Sequence, residues 1–400
     1  MLPLKGLKAL DFSHAADGPT CGLLLAQAGA DVIKIEPLQG EPYRSGPVSA
    51  AFYNANRNKR GLALNLRSPE GREIARKLAS TADIILESFT PGVADRLGIG
   101  YAEIDKLNPR IIYCSISGFG QSGPYSQRPI YDPVIQAISG FMATTGEPGR
   151  PPVRVAPGVI GLGTAFIASW GIALAIIARQ QTGKGQHIDA AFFDTAVFFM
   201  SFIITGYTIS GFTLPRMGSA SPAFVPYQCF ETADRYVFIG ITHDRFWQAF
   251  CSALNLAGPG SDERYKTAEG RLLHRDELVA EIAAELKKLP GNEILAKLEA
   301  ADVPCAPVRE VAEVIDDTQV LARGMLMEMQ YPGTGSMKLA NPPFKASGME
   351  TPPPLRAPLL GEHTGEILAE LGYDEAAIDS LEHKGVILRG NHGDYSSHRP

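Results

Sequence analysis

The chain has few cysteines, and their spacing excludes the roles that cysteine usually has. Its five cysteines are odd in number and widely separated, and no two of them form a Cys-x-x-Cys pair. A disulfide framework needs an even set, and a zinc site needs closely spaced pairs. The sequence therefore predicts neither a disulfide-stabilised fold nor a metal site. The cysteines are Cys21, Cys114, Cys229, Cys251 and Cys305.

The chain also lacks a tract of basic residues. Lys and Arg number 37 against 43 Asp and Glu, which gives a net charge of −6. Proteins that bind nucleic acid carry clustered positive charge, so we expect no nucleic-acid partner. The first residues, Met1 to Gly6, do not resemble a signal peptide, and we expect a cytoplasmic protein.

Long apolar runs without interruption are missing as well. The longest uncharged run, Val155 to Ala178, contains a proline and three glycines in its first half. The pattern predicts that only Phe166 to Ala178 is helical. A spanning helix needs about 18 residues or more, so we expect no membrane partner.

The first third of the chain alternates apolar runs with helical segments. The runs LKALDFS, ADVIKIE, GLALNL, ADIILES and RIIYCSISGFG are typical of buried parallel strands. Strand, helix and strand within about 35 residues form a βαβ unit. The turn after the first strand, HAADGP, lacks the Gly-x-Gly-x-x-Gly pattern of dinucleotide sites. The sequence predicts an α/β fold with a doubly wound, Rossmann-like parallel sheet, and no nicotinamide or flavin cofactor.

Beyond this region the pattern changes. Phe166 to Ala178 and Ala196 to Ile209 are so apolar that each predicts a helix covered on nearly every side. Such helices indicate a large subunit interface. A shift of composition at Leu214 to Pro226 precedes a segment that reads as a smaller α+β unit.

Nine short motifs carry a resemblance to a known family. They run in order from about residue 4 to residue 388: DFSHAADGP, LLAQAGADVIKIEP, NRNKRGLALNLRSPEG, ESFTPGVADRLGIGY, SISGFGQSGPY, YDPVIQAISGFMATTG, TGKGQHIDAAFFD, VPCAPV and APLLGEHT. Together they resemble the family III coenzyme A transferases and the related α-methylacyl-CoA racemases.

The resemblance implies a domain organisation and an assembly. A large domain comprises residues 1–213 and 329–388, a small domain comprises 214–328, and 389–400 form a tail predicted to be disordered. Two chains are expected to interlock as a homodimer, or as a heterodimer with a related chain.

The resemblance also implies that CoA or its thioesters bind along the large domain. An arginine suits a nucleotide phosphate and an aromatic ring suits adenine. Ser88 stands where the family usually has asparagine. The residues implied in CoA binding are His14, Ala15, Ala16, Ser88, Phe89, Arg96 and Tyr131.

The transferases of this family use an aspartate that becomes an acyl and CoA carrier. Alignment without gaps from Gly171 places that aspartate at Gly161, which has no side chain to react. The racemases need an aspartate at the same place and a histidine near Tyr131, and the chain has neither. Asp132 is the acid in the central motifs that matches a family active-site acid, so it is the predicted catalytic residue.

Three functions remain open at this stage. In the first, the chain transfers CoA between an acyl-CoA and a carboxylic acid, and another group takes the place of the aspartate. In the second, it is an isomerase that moves a proton beside a thioester. The third alternative is a CoA-binding subunit without chemistry of its own, paired with a complete partner.

Overall fold

The computed structural model describes residues 1–390, and the predicted tail from 391 onward lies outside them. The chain divides into two compact units. Within the described residues, the larger comprises 1–141, 155–202 and 322–390, and the smaller comprises 142–154 and 203–321. The predicted domain limits at residues 214 and 328 stay a prediction, because these units are defined by internal contacts and not by independent folding. Arg389, predicted in the tail, pairs with Glu375, Asp379 and Glu382.

The larger unit contains a seven-stranded sheet. Its strand order is β12-β3-β2-β1-β4-β5-β6, and neighbours are parallel except for β12 against β3. The predicted large parallel sheet is confirmed. The strands are β1 (Lys8–Asp11), β2 (Asp31–Glu36), β3 (Arg60–Leu64), β4 (Ile84–Glu87), β5 (Ile112–Ser117), β6 (Gln186–Ala191), β7 (Tyr227–Glu231), β8 (Tyr236–Gly240), β9 (Cys305–Pro307), β10 (Leu326–Tyr331), β11 (Gly335–Ala340) and β12 (Ile387–Leu388).

Both faces of this sheet are covered, which explains why its strands are apolar throughout. Ala9 belongs to one core cluster and Leu10 to the other, and Ile84 and Ile85 divide in the same way. Successive side chains of a strand point to opposite faces, so a sheet between two helical layers needs apolar residues at every position.

Eighteen α-helices are described. They are α1 (Asp17–Gln27), α2 (Ser49–Asn56), α3 (Pro69–Thr81), α4 (Val93–Arg96), α5 (Tyr101–Leu107), α6 (Asp132–Ile138), α7 (Val159–Thr182), α8 (Phe192–Phe199), α9 (Ser201–Ser210), α10 (Asp244–Ala253), α11 (Ala257–Ser261), α12 (Ala268–Leu273), α13 (Arg275–Leu286), α14 (Gly291–Ala300), α15 (Val311–Val314), α16 (Thr318–Ala322), α17 (Thr364–Glu370) and α18 (Glu375–His383).

Helix α7 is longer than the sequence predicts. It starts at Val159 and runs for 24 residues, so Gly161 and Gly163 do not interrupt it. Glycine costs a helix about 1 kcal/mol, but here close packing requires it. A Cβ at Gly163 would lie 2.6 Å from Cζ of Phe199. Helix α7 is long and apolar enough to cross a membrane. The prediction that the helical part of this segment is too short for a span is therefore wrong.

The second apolar helix that the sequence predicts is two helices in the structure. The segment Ala196 to Ile209 falls in two helices, α8 and α9, which are bent by 56° with Met200 between them. Neither helix alone is long and apolar enough to cross a membrane, but the two together are.

The smaller unit is built on the antiparallel sheet β7-β8-β9. Its core includes Trp247 and Phe250 from α10 and Leu278 from α13. Strands β10 and β11, an antiparallel pair that the sequence patterns do not predict, belong to the larger unit.

Candidate functional site

The strand order of the large sheet reverses between β1 and β4. In open α/β sheets, ligands bind in the crevice outside the carboxyl ends of the strands at such a reversal. The loops that follow β1, β4 and β5 line a cavity of about 710 Å³. Its lining residues are His14 to Gly18, Pro42, Tyr43, Ser88 to Pro91, Val93, Ile116 to Gly118, Ser126, Arg128 to Pro133, Gly158 and Phe192.

A buried ion pair supports the loop after β1. Asp11 is the last residue of β1, and its carboxylate accepts from Nζ of Lys59 at 2.7 Å and from the backbone N–H of Ser13 at 3.0 Å. Lys59 also donates to the carbonyl of Pro19 at 2.7 Å, in the first turn of α1. Burial raises the pKa of Asp11, but the charges of Lys59 and Lys34 outweigh it and hold that pKa below its ordinary value. The pair therefore ties β1, the loop and α1 into one rigid support.

The loop itself is held in an unusual conformation. Ala15 has φ of +68°, a left-handed conformation that costs a non-glycine residue about 1–2 kcal/mol. Its backbone N–H donates to Oε2 of Glu41 at 2.7 Å. This hydrogen bond compensates for the strain and fixes the direction in which the chain enters α1.

Three predicted residues meet at the switch between β1 and β4. The backbone N–H of His14 donates to Oγ of Ser88 at 3.0 Å, and the rings of His14 and Phe89 have centroids 5.9 Å apart. Desolvation, and then the charge of Lys34, lower the pKa of His14 below its ordinary value. The imidazole is therefore neutral at physiological pH.

Asp132 acts as the cap of α7. Its Oδ2 accepts from the backbone N–H groups of Ile160 and Gly161, both at 2.9 Å, and its Oδ1 accepts from Nε2 of Gln136. Such bonds satisfy N–H groups that a helix start leaves without partners. Both oxygens of Asp132 are thus engaged in holding the protein together.

Asp17 is the other acid that lines the cavity, and it is absent from the predicted site residues. It is the first residue of α1, which packs against α7. A Cβ built on Gly161 would lie 2.3 Å from Oδ1, 2.4 Å from Cγ and 2.6 Å from Oδ2 of Asp17. The carboxyl group of Asp17 therefore occupies the space that any side chain at position 161 would fill.

The environment of Asp17 differs from that of Asp132. No side chain in residues 1–390 donates a hydrogen bond to its carboxylate, and its interaction is with its own backbone N–H. Burial, and then the nearby charge of Asp132, raise the pKa of Asp17 to about 6. A carboxylate without strong donors and with a raised pKa is more nucleophilic than an ordinary one.

Most of the predicted site residues lie around this one cavity. His14, Ala15, Ala16, Ser88, Phe89, Tyr131 and Asp132 line it, so the structure brings together segments that are far apart in the sequence. Arg96 does not line it and is exposed at the end of α4. The roles of all these residues stay predictions. Within 1–390, no group of three or more His, Cys, Asp or Glu side chains is arranged to hold a metal ion.

Several lining residues are missing from the prediction, and Asp17, Tyr43 and Arg128 are the ones with an ionisable side chain. A signal for Asp17 is present in the motif HAADGP, where an acid directly precedes Gly-Pro at a helix start. Arg128 has no comparable signal, because its loop becomes part of the site only through folding.

Comparison with known proteins gives consistent matches. The model of CoA-transferase family III matches residues 4–364. A succinyl-CoA:glutarate CoA-transferase of Mus musculus is 36% identical over 97% of this chain and 91% of its own length. A succinyl-CoA:mesaconate CoA-transferase of Haloarcula marismortui is 36% identical over 93% of this chain and 97% of its own. The crystal structure of a CAIB/BAIF family protein from Brucella suis superposes with a TM-score of 0.85 at 36% identity, and covers 92% of this chain and 99% of that chain.

Proposed function

Because the chain belongs to CoA-transferase family III and is an enzyme of CoA transfer, we propose that it moves CoA from a dicarboxylic acyl-CoA such as succinyl-CoA to a dicarboxylic acid. The observation that supports this most directly is the 710 Å³ cavity at the carboxyl ends of β1, β4 and β5. It is large enough for a thioester and an acid, and its lining includes the carboxylate of Asp17 and the guanidinium of Arg128. The names of the two matched transferases also contain dicarboxylic acids.

CoA is assigned to the side of the cavity formed by the loops after β1 and β4. The backbone of Ala15 and Ala16 is exposed there to a ligand, and the ring of Phe89 is available to stack on adenine. Arg96 lies outside the cavity, where it suits the phosphates of a ligand that extends beyond the opening.

Arg128 is the residue that fits the second carboxylate of a dicarboxylic substrate. Its guanidinium carbon lies 3.7 Å from the ring centroid of Tyr125, which holds the side chain in place. Within residues 1–390 it forms no ion pair with Asp or Glu, so its donors are available for a ligand. Arginine binds carboxylates through two parallel hydrogen bonds.

The function is tested by following CoA transfer with the purified chain. We expect glutaryl-CoA to form from succinyl-CoA and glutarate. In Arg128→Met, the KM for glutarate rises about tenfold or more, since a hydrogen bond to a charged group contributes about 1.5–3 kcal/mol. With a monocarboxylic acceptor the same substitution leaves KM nearly unchanged. Arg67→Met, on an exposed arginine outside the cavity, is the control. Equal losses for both kinds of acceptor would exclude this role for Arg128, and no transfer to any carboxylic acid would contradict the proposed function.

We also propose that two copies of the chain associate through the apolar helices α7 and α8 and the adjoining Phe202, in an interlocked homodimer. Large side chains of this surface are uncovered in the single chain: Trp170 is 64% exposed, Ile177 54%, Phe198 71% and Phe202 89%. Burying one such side chain contributes about 1.5–3 kcal/mol. A surface as apolar as this marks an interface.

Light scattering measures the assembly directly. We expect a mass of twice 42.9 kDa at micromolar concentration, and a shift toward the mass of one chain in Trp170→Glu. Ser80→Glu introduces the same charge on α3, which packs on the opposite face of the sheet, and is expected to remain a dimer. A single-chain mass for the unmodified protein would contradict the homodimer. If dimers then form only with a related chain, the assembly is a heterodimer. If the chain instead sediments together with lipid vesicles, a membrane covers this surface.

A further inference from the structure

CoA transfer between two acids needs a group that holds CoA while one acid leaves and the next arrives. A carboxylate serves this purpose, because it forms an anhydride and a thioester and is released again. Among residues 1–390, the acids that line the cavity are Asp17 and Asp132. One of these two acids is therefore expected to carry CoA.

Asp132 is poorly suited to this task. Attack on a thioester through Oδ2 would compete with the N–H groups of Ile160 and Gly161, and attack through Oδ1 would compete with the amide of Gln136. In the first case the start of α7 would lose its cap, which contributes about 0.5–2 kcal/mol, and in the second case Asp132 would lose its bond to Gln136 of α6. The geometry makes Asp132 a positioning residue that fixes the backbone of Gly161.

Asp17 satisfies the geometric requirements. Its carboxyl group lies on the cavity wall, free of side-chain donors, at the N-terminus of a helix of 11 residues. It stands where the side chain of residue 161 would be, with its Cγ only 2.4 Å from the position of a Cβ. The family resemblance assigns the carrier carboxylate to position 161, so a carboxylate is present at nearly the expected point although it comes from another helix.

We propose that Asp17 is the nucleophile of this enzyme and that it carries CoA as an aspartyl thioester. The inference rests on the proposed function, since it assigns the carrier for that reaction. It also explains why position 161 is glycine, because any larger residue there would displace the carboxyl group of Asp17.

The steps balance without any further reactant. A carboxylate oxygen of Asp17 attacks the donor carbonyl carbon, which forms a mixed anhydride and releases CoA as a thiolate. The thiolate attacks the side-chain carbonyl carbon of Asp17, which forms the aspartyl thioester and releases the donor acid as a carboxylate. The acceptor carboxylate then attacks that thioester and releases the thiolate again. Attack of the thiolate on the acceptor carbonyl yields the new acyl-CoA and restores the Asp17 carboxylate.

The aspartyl thioester is the species to trap. The full-length protein is incubated with succinyl-CoA in the absence of acceptor and treated with borohydride, which reduces an aspartyl thioester to homoserine, or with hydroxylamine, which gives a hydroxamate. Peptide mass spectrometry then locates the modified residue. We expect the modification at Asp17, and Asp17→Ala is expected to lose both the modification and the transfer activity, the latter by on the order of 10³-fold or more.

Asp31→Ala is the matched control, because it also replaces an aspartate by alanine. Asp31 is the first residue of β2 and pairs with Arg60 outside the cavity. It is expected to retain the modification at Asp17 and the activity. Asp17→Glu keeps the carboxylate but moves it by one methylene, and is expected to be modified at position 17 with lower activity. Circular dichroism confirms that each variant is folded.

The outcomes separate this inference from the proposed function. Modification at Asp132, or transfer activity without any modification at Asp17, would overturn the inference and leave the proposed function intact. Absence of both modification and transfer with every dicarboxylic acyl-CoA would overturn both.

Discussion

A carboxylate moved from position 17 to position 161 is expected to restore part of the activity that Asp17→Ala loses. In the double variant Asp17→Ala/Gly161→Asp, the new side chain enters the volume that the Asp17 carboxyl group has vacated. A misplacement of about 1 Å costs roughly 10²-fold in rate. We therefore expect the double variant to lie about 10²-fold below the unmodified enzyme and at least about tenfold above Asp17→Ala.

The single variant Gly161→Asp is the control for this exchange. Its Cβ would overlap the Asp17 carboxyl group, and its charge would be added beside Asp17 and Asp132. We expect low activity and lower stability, so the effects of the two substitutions are strongly non-additive. Steady-state rates and thermal unfolding of all four proteins decide the matter. A folded double variant that is no more active than Asp17→Ala would show that the two positions are not interchangeable.

The stability of Asp17→Ala relative to the unmodified protein is expected to increase with pH. The pKa of Asp17 is about 6 in the folded state and near 3.8 in the unfolded state. Between these values the folded protein binds more protons than the unfolded one, so ionisation of Asp17 lowers stability as pH rises. The full difference corresponds to about 3 kcal/mol.

Between pH 4.5 and pH 8 the variant is expected to gain about 2 kcal/mol relative to the unmodified protein. The packing change on loss of the carboxyl group is nearly the same at both pH values and cancels in this comparison. Urea unfolding at the two pH values measures the gain. Asp31→Ala, which removes an acid outside the cavity, is expected to show no such increase. A pH-independent difference for Asp17→Ala would show that burial does not disfavour the charged form of Asp17.

The strands were the most predictable part of the fold. The runs around Ala9 and Ile84 are apolar at consecutive positions because each sheet face is covered by helices, and this pattern is visible without a structure. The start of α3 was equally predictable, since Ser68 caps it through a 3.0 Å bond from the N–H of Gly71 and Pro69 follows.

The long helix α7 was not predictable from local rules. Gly161 and Gly163 read as helix breakers because glycine weakens an isolated helix. In the folded chain each glycine allows a close approach that a side chain would prevent, by Asp17 in one case and by Phe199 in the other. These close approaches join residues that are distant in the chain, so no local pattern contains them.

The sequence by itself determined the parallel strands and the family motifs, because each of these depends on residues close together in the chain. It also showed that position 161 has no carboxylate. Only the tertiary structure showed that the carboxyl group of Asp17 lies where a side chain at position 161 would be. Both residues, Asp132 and Asp17, are aspartates, but folding uses Oδ2 of Asp132 to cap α7 and Oδ1 to bind Gln136, and it leaves the carboxylate of Asp17 on the cavity wall. That difference depends on how α1 packs against α7, and such long-range contacts arise only when the whole sheet has formed.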